Sequence, residues 1–458
     1  MAHRNEDGPT PNKRLNTEFK DAQLVRMFCQ DLRPVHMLED NGFQEFIKNI
    51  SDYTLPSTTK FSEILNEEYN TAKSKLKKTL ESVSHAAISV ETWRWRQDHR
   101  KIGYYMISVT IHFVYEDKLV SRNLFTIDGT RRKNKTNVNM IKNGLKEWRV
   151  FRKVVCFVGD DKTILEEICA NSDQSYIICV AARINSVIQG ALNHLNLNRN
   201  ADRESTTMTD ERFSWYNDYI SYKKICETDA WDDATEIKEL NECVQILKRF
   251  DDFYTTLCAE PFLNLSRVIP LLTHLKARIS ECSPSTEQAI KLKNNIEYAM
   301  KDVLNADYKN KTVAARATFM DPRFKSEALV EQKRAKDLLQ YVKETLKNDE
   351  DGSQIRSETS VAHYVQMPDA ELHKNPYEYW RGYYNLSKYS EFYLMSQKYL
   401  CIPATVIPVH TISDESPWNK IVTKIINLNA RRNHLEYESI NNILFLHSYY
   451  SDNAMISD

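Results

Sequence analysis

Apolar and polar residues alternate along one stretch in the first third of the chain. Every second position from Tyr105 to Phe113 is apolar, which is the period of a strand that buries one face. Glu116-Asp117 predicts a turn into a further strand, Leu119 to Ile127, and Ile88 to Trp93 predicts a strand ahead of both. The pattern therefore indicates three strands that follow one another as a meander.

Two continuous apolar runs come next. Val154 to Val158 and Tyr176 to Val180 are short and uninterrupted, as buried strands are. Helices are predicted from Val138 to Trp148, after Asp160-Asp161, and after the second run. Three meandering strands followed by helix, strand, helix and strand match the order of a ribonuclease H-like α/β core.

The rest of the chain has mostly helical spacing. Leu24, Met27, Phe28 and Leu32 recur at helical intervals near the start. Pro270 is expected to end or kink a helix over Val268 to Ile279. The predicted organisation is a disordered tail (1–18), an N-terminal helical region (19–83), the first part of the α/β core (84–199), a large helical insertion with a flexible linker at 346–360 (200–370), and C-terminal core helices (371–458).

The composition is that of a soluble globular protein, with 41% hydrophobic and 27% charged residues and a net charge of -1. The nine glycines form no phosphate-binding loop, so no nucleotide cofactor is expected. The nine cysteines form no Cys-x-x-Cys pair, which predicts reduced thiols inside the cell. No apolar run approaches the ~18 residues of a membrane span, so no membrane partner is expected.

A near-neutral chain must bind nucleic acid through local basic patches. One basic loop has three alternative roles, as a phosphate-contacting segment, as an aid to nuclear import or as a plain solvated loop: Arg131, Arg132, Lys133 and Lys135.

A run of ten residues near the C-terminus carries the most informative motif, Cys401-Ile-Pro-Ala-Thr-Val-Ile-Pro-Val-His410. It resembles the C-terminal signature of the hAT family of DNA transposases. In that family the second proline leads to Ser-Glu-Arg, whose glutamate is the third catalytic acid. Here Pro408 leads to Val409-His410-Thr411, so the resemblance implies that His410 has replaced the acid.

Other motifs of the family follow in the family's order between about residues 21 and 450. Val90-Glu91-Thr92-Trp93 stands where the family has Thr-Asp-x-Trp, and Val158-Gly-Asp160-Asp161 keeps the second acid. No Cys-x-x-Cys precedes the helical region, so the family's BED zinc finger is not expected to read DNA. The remaining similarities are Cys179-Val-Ala-Ala182, with alanine at the family's histidine position, Arg212-Phe213 with Trp215, Asp321-Pro-Arg-Phe324, Asn375-Pro-Tyr-Glu-Tyr-Trp380, Arg431-Arg-Asn433 and Leu444-Phe-Leu-His-Ser448.

The resemblance places Glu91, Asp160 and His410 at the positions of the catalytic acids. Transposase chemistry uses two metal ions held by carboxylates, and Mg²⁺ prefers oxygen ligands. The nitrogen of His410 therefore implies lost chemistry and no metal cofactor, with Mg²⁺ needed only if residual activity survives. The alternative for Glu91 and Asp160 is a solvated carboxylate at a strand end, and Asp161 is a candidate helix cap.

The resemblance also implies two contact surfaces. Arg212, Phe213 and Trp215 would contact DNA, with the aromatic rings stacking on bases, unless they pack between helices. Aromatic and apolar residues of the C-terminal region would supply dimer contacts, unless they complete the core of one chain: Tyr377, Tyr379, Trp380, Leu444, Phe445 and Leu446.

The leading hypothesis is a catalytically defective, transposase-derived protein of the nucleus. It would regulate transcription or chromatin by contacting DNA, by forming homo-oligomers and by binding nuclear proteins. Two alternatives stay open. One is a hAT transposase that retains metal-dependent DNA cleavage and transfer, and the other is a protein-interaction scaffold that does not bind DNA.

Overall fold

The computed structural model of the chain describes most of its length. The described residues are 11–33, 35–96, 103–130, 134–170, 172–195, 214–227, 234–259, 262–302, 312–330, 332–345, 353–384, 390–406 and 437–450. Residues 1–10 of the predicted disordered tail lie outside these ranges. Helix α1 begins at Pro11, so the prediction of disorder is wrong from that residue onward. Proline is well tolerated there because the first turn of a helix needs no backbone N–H donor.

The N-terminal region is helical, as predicted. It contains α1 (Pro11–Gln30), a 3₁₀ turn (Val35–Glu39), α2 (Asn41–Ile50) and α3 (Thr58–Ser82). Ser57 caps α3, because its side chain accepts a hydrogen bond of 3.2 Å from the backbone N–H of Lys60.

A five-stranded mixed sheet follows, in the order β3-β2-β1-β4-β5. Its strands are β1 (Ala86–Arg96), β2 (Gly103–Tyr115), β3 (Lys118–Asp128), β4 (Val154–Gly159) and β5 (Ser175–Ile178). The predicted meander is confirmed, since β1 pairs antiparallel with β2 and β2 antiparallel with β3. Glu116 and Asp117 both have positive φ, as the two-residue turn of such a hairpin requires.

Helices cover both faces of the sheet. Ile88 and Val90 of β1 face a core formed with α1, α3, α4 (Asn134–Glu147), α5 (Lys162–Cys169) and a C-terminal helix, α17 (Tyr437–Tyr450). Ala87 faces the opposite way, into a second core. That core is built with α6 (Val180–Asn193), α7 (Ser214–Glu227), α8 (Ala234–Ala259), α9 (Val268–Ser280), α10 (Glu287–Asp302), α11 (Val313–Met320), α12 (Lys325–Leu329), α13 (Gln332–Thr345), α14 (Ser353–Gln366), α15 (Pro376–Tyr384) and α16 (Ser390–Leu400).

Two predictions are wrong, one about Pro270 and one about the linker at 346–360. Pro270 neither ends nor kinks its helix, because it lies in the first turn of α9, where its missing N–H costs no hydrogen bond. The predicted linker at 346–360 is helical from Ser353 onward, within α14. Residues 346–352 lie outside the described ranges.

Helix α17 protects the edge of the sheet. The backbone N–H groups of Asn123 and Thr126 on β3 donate to Ser448 Oγ and Asn441 Oδ1, each at 2.9 Å. An uncovered edge strand would present such groups to other chains. The C-terminal helix is therefore an integral part of this fold.

The Asp321-Pro-Arg-Phe motif forms a buried ion pair. Arg323 donates to both carboxylate oxygens of Asp321, from Nε at 2.9 Å and Nη2 at 2.8 Å, and both side chains are fully buried. Ser266 Oγ donates to the same carboxylate at 2.6 Å, and Arg323 Nη1 donates to the Leu372 carbonyl at 3.3 Å. The motif thus joins three separate segments of the helical region.

Candidate functional site

Glu91 and Asp160 lie side by side where β4 ends against the middle of β1. β1 and β4 are parallel, with Val90 level with Gly159, so Glu91 and Asp160 are the next residues on neighbouring strands. Asp160 is half-buried and Glu91 is buried. The two carboxylates predicted from the motifs are therefore brought to the same place in the fold.

Thr92 holds the Asp160 carboxylate. Its backbone N–H donates to Oδ1 at 3.1 Å, and its hydroxyl donates to Oδ2 at 3.0 Å. These bonds join the end of β4 to β1 and orient the acid. Sequence reasoning missed Thr92, because no spacing along the chain relates it to a residue 68 positions away.

Gly159 permits the close approach of these two strands. A Cβ built at this position would lie 2.9 Å from the Val90 carbonyl oxygen and 3.0 Å from Leu165 Cδ2. Such distances are shorter than side-chain carbons tolerate, and the backbone oxygen belongs to the sheet. The glycine in the Val158-Gly-Asp160 motif is therefore required by packing.

Asp161 has a different role from Asp160. Its Oδ1 accepts hydrogen bonds from the backbone N–H groups of Thr163 at 2.9 Å and Ile164 at 3.2 Å. It is the N-cap of α5, which confirms the cap prediction.

The Ile-Pro-Ala-Thr segment docks where β5 ends. The backbone N–H of Val180 donates to the Ala404 carbonyl at 3.4 Å, and Cys179 Sγ lies 3.0 Å from Thr405 Oγ1. Cys179 directly follows β5, whose end is level with Gly159. Cys179 is buried, and its thiol has a polar partner. His410 lies outside the described residues.

Three helices follow the carboxyl ends of β3, β4 and β5. β3 runs parallel to β1, since both are antiparallel to β2, so its end at Asp128 lies on the side where β4 and β5 also end. Helices α4, α5 and α6 follow these three strands. Helix N-termini carry partial positive charge. The Asp161 carboxylate already caps α5, and the Ala404 carbonyl accepts the first N–H of α6, so the start of α4 is the positive helix end that remains for a ligand.

Only one residue of the predicted basic loop is described. Lys135 is exposed in the first turn of α4. Arg131, Arg132 and Lys133 lie outside the described residues. A lysine in a first turn adds its charge to the positive helix end, which favours contact with an anion.

The face of the sheet that carries Glu91 also holds a buried histidine. His112 Nε2 lies 2.8 Å from Ser89 Oγ, and Nδ1 lies 2.8 Å from Ser121 Oγ. Burial lowers the pKa of His112 to about 3, so the imidazole is neutral near pH 7. This network joins β1, β2 and β3 through neutral hydrogen bonds.

Trp215 packs in the core, which contradicts the prediction that it stacks on a base. The ring is fully buried and stacks on Tyr254 at 5.9 Å, and its Nε1 donates to Asn185 Oδ1 at 2.8 Å. Tyr254 donates to the same amide oxygen at 2.7 Å. No face of the ring is available to a ligand in this conformation. Arg212 and Phe213 lie outside the described residues.

The predicted dimer residues also lie inside the chain. Tyr377 and Trp380 are buried in the helical core, where Trp380 Nε1 donates to the Met320 carbonyl at 2.7 Å. Leu444, Phe445 and Leu446 are buried in the other core, with Phe445 stacked on Trp148. Tyr379 is half-buried. The aromatic content that suggested an interface is therefore explained by packing within one chain, because composition does not distinguish an interface core from a monomer core.

Comparison with known proteins adds no relative. No protein-family model matches the sequence, and no curated protein matches it.

Across the described ranges, no group of three or more His, Cys, Asp or Glu side chains is arranged to hold a metal ion. Among the helices within those ranges, none combines the length and apolar character of a membrane span.

Proposed function

We propose that this chain is a catalytically defective relative of the hAT transposases that acts in the nucleus by contacting DNA and by associating with itself and with other nuclear proteins. The observation that carries the proposal is the placement of Glu91 and Asp160 side by side, where β4 ends against the middle of the parallel strand β1. The strand order β3-β2-β1-β4-β5, with only β2 reversed, supports a ribonuclease H-like core. The family motifs and the topology thus agree at the same two residues.

The donor set does not fit a two-metal centre. Glu91 and Asp160 supply carboxylate oxygens, but the third position of the motif is a histidine, whose nitrogen is a poor ligand for Mg²⁺. We therefore derive no catalytic step through a metal ion. The surviving function would be binding.

DNA contact is supported by charge at the carboxyl edge of the sheet. The N-terminus of α4 and the Lys135 side chain favour phosphate groups there. Phosphate contacts position a protein without reading sequence, so binding would be weakly selective and strongly dependent on salt.

Self-association would use a surface other than the six predicted residues. A test that deletes the C-terminal region would remove α17 and the buried Trp380 from the fold, so the full chain must be used. Light scattering over a concentration series should show a mass above that of one 53.6 kDa chain. A single-chain mass at every concentration would refute self-association.

The decisive assay combines binding and cleavage. The full-length protein should shift a labelled DNA duplex but leave its strands intact with Mg²⁺ or Mn²⁺. Nicking that disappears in Asp160→Ala would instead favour a transposase with residual activity, which the Glu91 and Asp160 pair allows. Absence of any DNA binding would favour the protein-interaction scaffold.

A further inference from the structure

Two helix ends meet at the opposite edge of the sheet and form a basic surface. Helix α3 ends just before β1, and a 3₁₀ turn, Phe151–Lys153, ends just before β4. This surface therefore lies at the amino ends of β1 and β4, away from Glu91 and Asp160.

Ion pairs join α3 to the C-terminal end of α4. Lys73 Nζ lies 2.8 Å from Glu147 Oε1, and Lys77 Nζ lies 3.8 Å from the same oxygen. Both ammonium groups also lie over the Trp148 ring, at 5.5 and 5.4 Å. Partial burial lowers the pKa of the Lys73 ammonium, but hydrogen bonding and charge from its neighbours, Glu147 foremost, together outweigh this effect, so the pKa of Lys73 is raised. Hydrogen bonding from Lys73 lowers the pKa of Glu147, so both groups are charged near pH 7.

Lys153 extends the junction. Its Nζ donates to the backbone carbonyls of Leu80 at 2.6 Å and Glu81 at 3.0 Å. These carbonyls belong to the last turn of α3, which a cation stabilises. The C-terminal half of α3 and residues 146–153 are thus in direct contact.

This surface carries more positive charge than the fold uses. The stretches 71–85 and 142–153 together contain nine Lys or Arg residues and two carboxylates, whereas the whole chain has a net charge of -1. Lys73, Lys77, Lys142 and Lys153 make contacts that hold the fold. Five others are exposed, and we call them the basic face: Lys75, Lys78, Lys146, Arg149 and Arg152.

Helix dipoles explain only part of the basic face. Lys146 and Arg149 lie at the C-terminal end of α4, where cations are favourable. Lys75 and Lys78 precede the last turn of α3, and Arg152 follows in the 3₁₀ turn. The dipoles do not account for these three charges, which are exposed and therefore accessible to an anionic partner.

The surroundings favour a phosphate backbone as that partner. Both stretches are fully described, and none of the large exposed apolar side chains falls within them. A protein interface usually has an aromatic and apolar centre, which is missing here. Regularly spaced phosphates need only exposed cations.

We infer that the basic face binds the sugar-phosphate backbone of duplex DNA. The inference rests on the proposed function in one respect, namely that this chain contacts DNA. It adds a second contact surface, on the side of the sheet opposite Glu91 and Asp160, and binding on this face is independent of sequence.

The test compares two charge-matched variants of the full-length protein. The face variant replaces four exposed cations with glutamine: Lys75→Gln, Lys78→Gln, Lys146→Gln and Arg152→Gln. The control variant replaces four exposed lysines of the helical region: Lys238→Gln, Lys248→Gln, Lys276→Gln and Lys291→Gln. Circular dichroism and urea unfolding should show that both fold like the wild type, since all eight side chains are exposed.

Fluorescence anisotropy with a labelled DNA duplex provides the measurement, over a salt series from about 50 to 200 mM. Loss of four phosphate contacts should reduce the log-log salt slope by about three to four in the face variant and leave it unchanged in the control. An unchanged slope in the face variant overturns the inference.

Three further outcomes separate this inference from the proposed function. In the first outcome, DNA binding is lost only when the loop cations become alanine: Arg131, Arg132, Lys133 and Lys135. This result overturns the inference but leaves the proposed function standing. A wild-type protein that binds no DNA overturns both. In the third outcome, the face variant loses binding to phosphatidylserine vesicles or to polyglutamate but binds DNA as the wild type does. This result assigns the surface to a membrane or an acidic protein and overturns the inference.

Discussion

The buried pair Asp321 and Arg323 gives the sharpest test of how the family-type motif acts. Asp321→Asn keeps the shape of the side chain but removes its charge, which leaves the Arg323 guanidinium buried without a counterion. Breaking a fully buried ion pair in this way costs about 3–5 kcal/mol of the free energy of unfolding. Arg323→Met should cost a similar amount, because it leaves the Asp321 carboxylate buried without the guanidinium, with the Ser266 hydroxyl and the backbone N–H of residue 323 still donating to it.

The double variant, Asp321→Asn with Arg323→Met, should be much less destabilised than the sum of the two single variants. It buries no charge, so its main loss is a few hydrogen bonds worth about 1 kcal/mol each. The coupling between the two positions should therefore reach several kcal/mol, as is expected of residues that share one interaction.

Urea unfolding followed by tryptophan fluorescence measures these differences. Trp380 is a suitable local probe because its Nε1 bonds to the carbonyl of Met320, next to Asp321 in the chain. The control is the exposed pair Lys60 and Glu63, at 2.9 Å, where Glu63→Gln should change stability by no more than about 1 kcal/mol. Additive losses at Asp321 and Arg323 would show that the motif does not act as a buried pair.

Three more predictions follow from the packing around the candidate site. Gly159→Ala should destabilise the fold by about 1–3 kcal/mol in urea unfolding, since the added carbon meets the Val90 carbonyl, and an unchanged midpoint would contradict that clash. Trp215→Phe should lower stability by about 1–3 kcal/mol through its lost bond to Asn185 but leave DNA affinity unchanged, and weaker DNA binding would restore the stacking hypothesis. His112 has a lowered pKa in the fold, so it stabilises the protein above the unfolded value of about 6.5 and loses this stability as the pH falls toward 3. His112→Gln should therefore flatten the decline in the urea midpoint between pH 7 and pH 4, and an unaltered decline would assign it to other groups.

Local patterns in the sequence were sufficient to predict several strands, a turn and a helix cap of the fold. The alternation from Tyr105 to Phe113 predicted β2, and Ile107, Val109, Ile111 and Phe113 are all fully buried on one face. Glu116-Asp117 predicted the hairpin turn, and Asp161 predicted the cap of α5. These features depend on neighbours along the chain, so a short window of sequence contains the information.

The placement of the two carboxylates was also readable in advance. Glu91 and Asp160 were identified from motifs, and the parallel pairing of β1 with β4 brings them side by side. Thr92 was missed because its bond to Asp160 depends on that pairing. Periodicity shows that a residue lies at a strand end but not which distant side chain meets it there.

Only the tertiary structure decided which aromatic and basic residues are available to a partner. Trp215, Trp380 and Phe445 looked suited to stacking or dimer contacts, yet each is enclosed by the chain's own helices. Lys75 and Arg152 are 77 positions apart in the sequence. The structure brings their segments together, because α3 and the turn before β4 end side by side. Apolar content measures how strongly a side chain avoids water, and charge measures how strongly it seeks water or a counterion. Neither property states which surface will cover the residue, because that is set by contacts between segments far apart in the sequence.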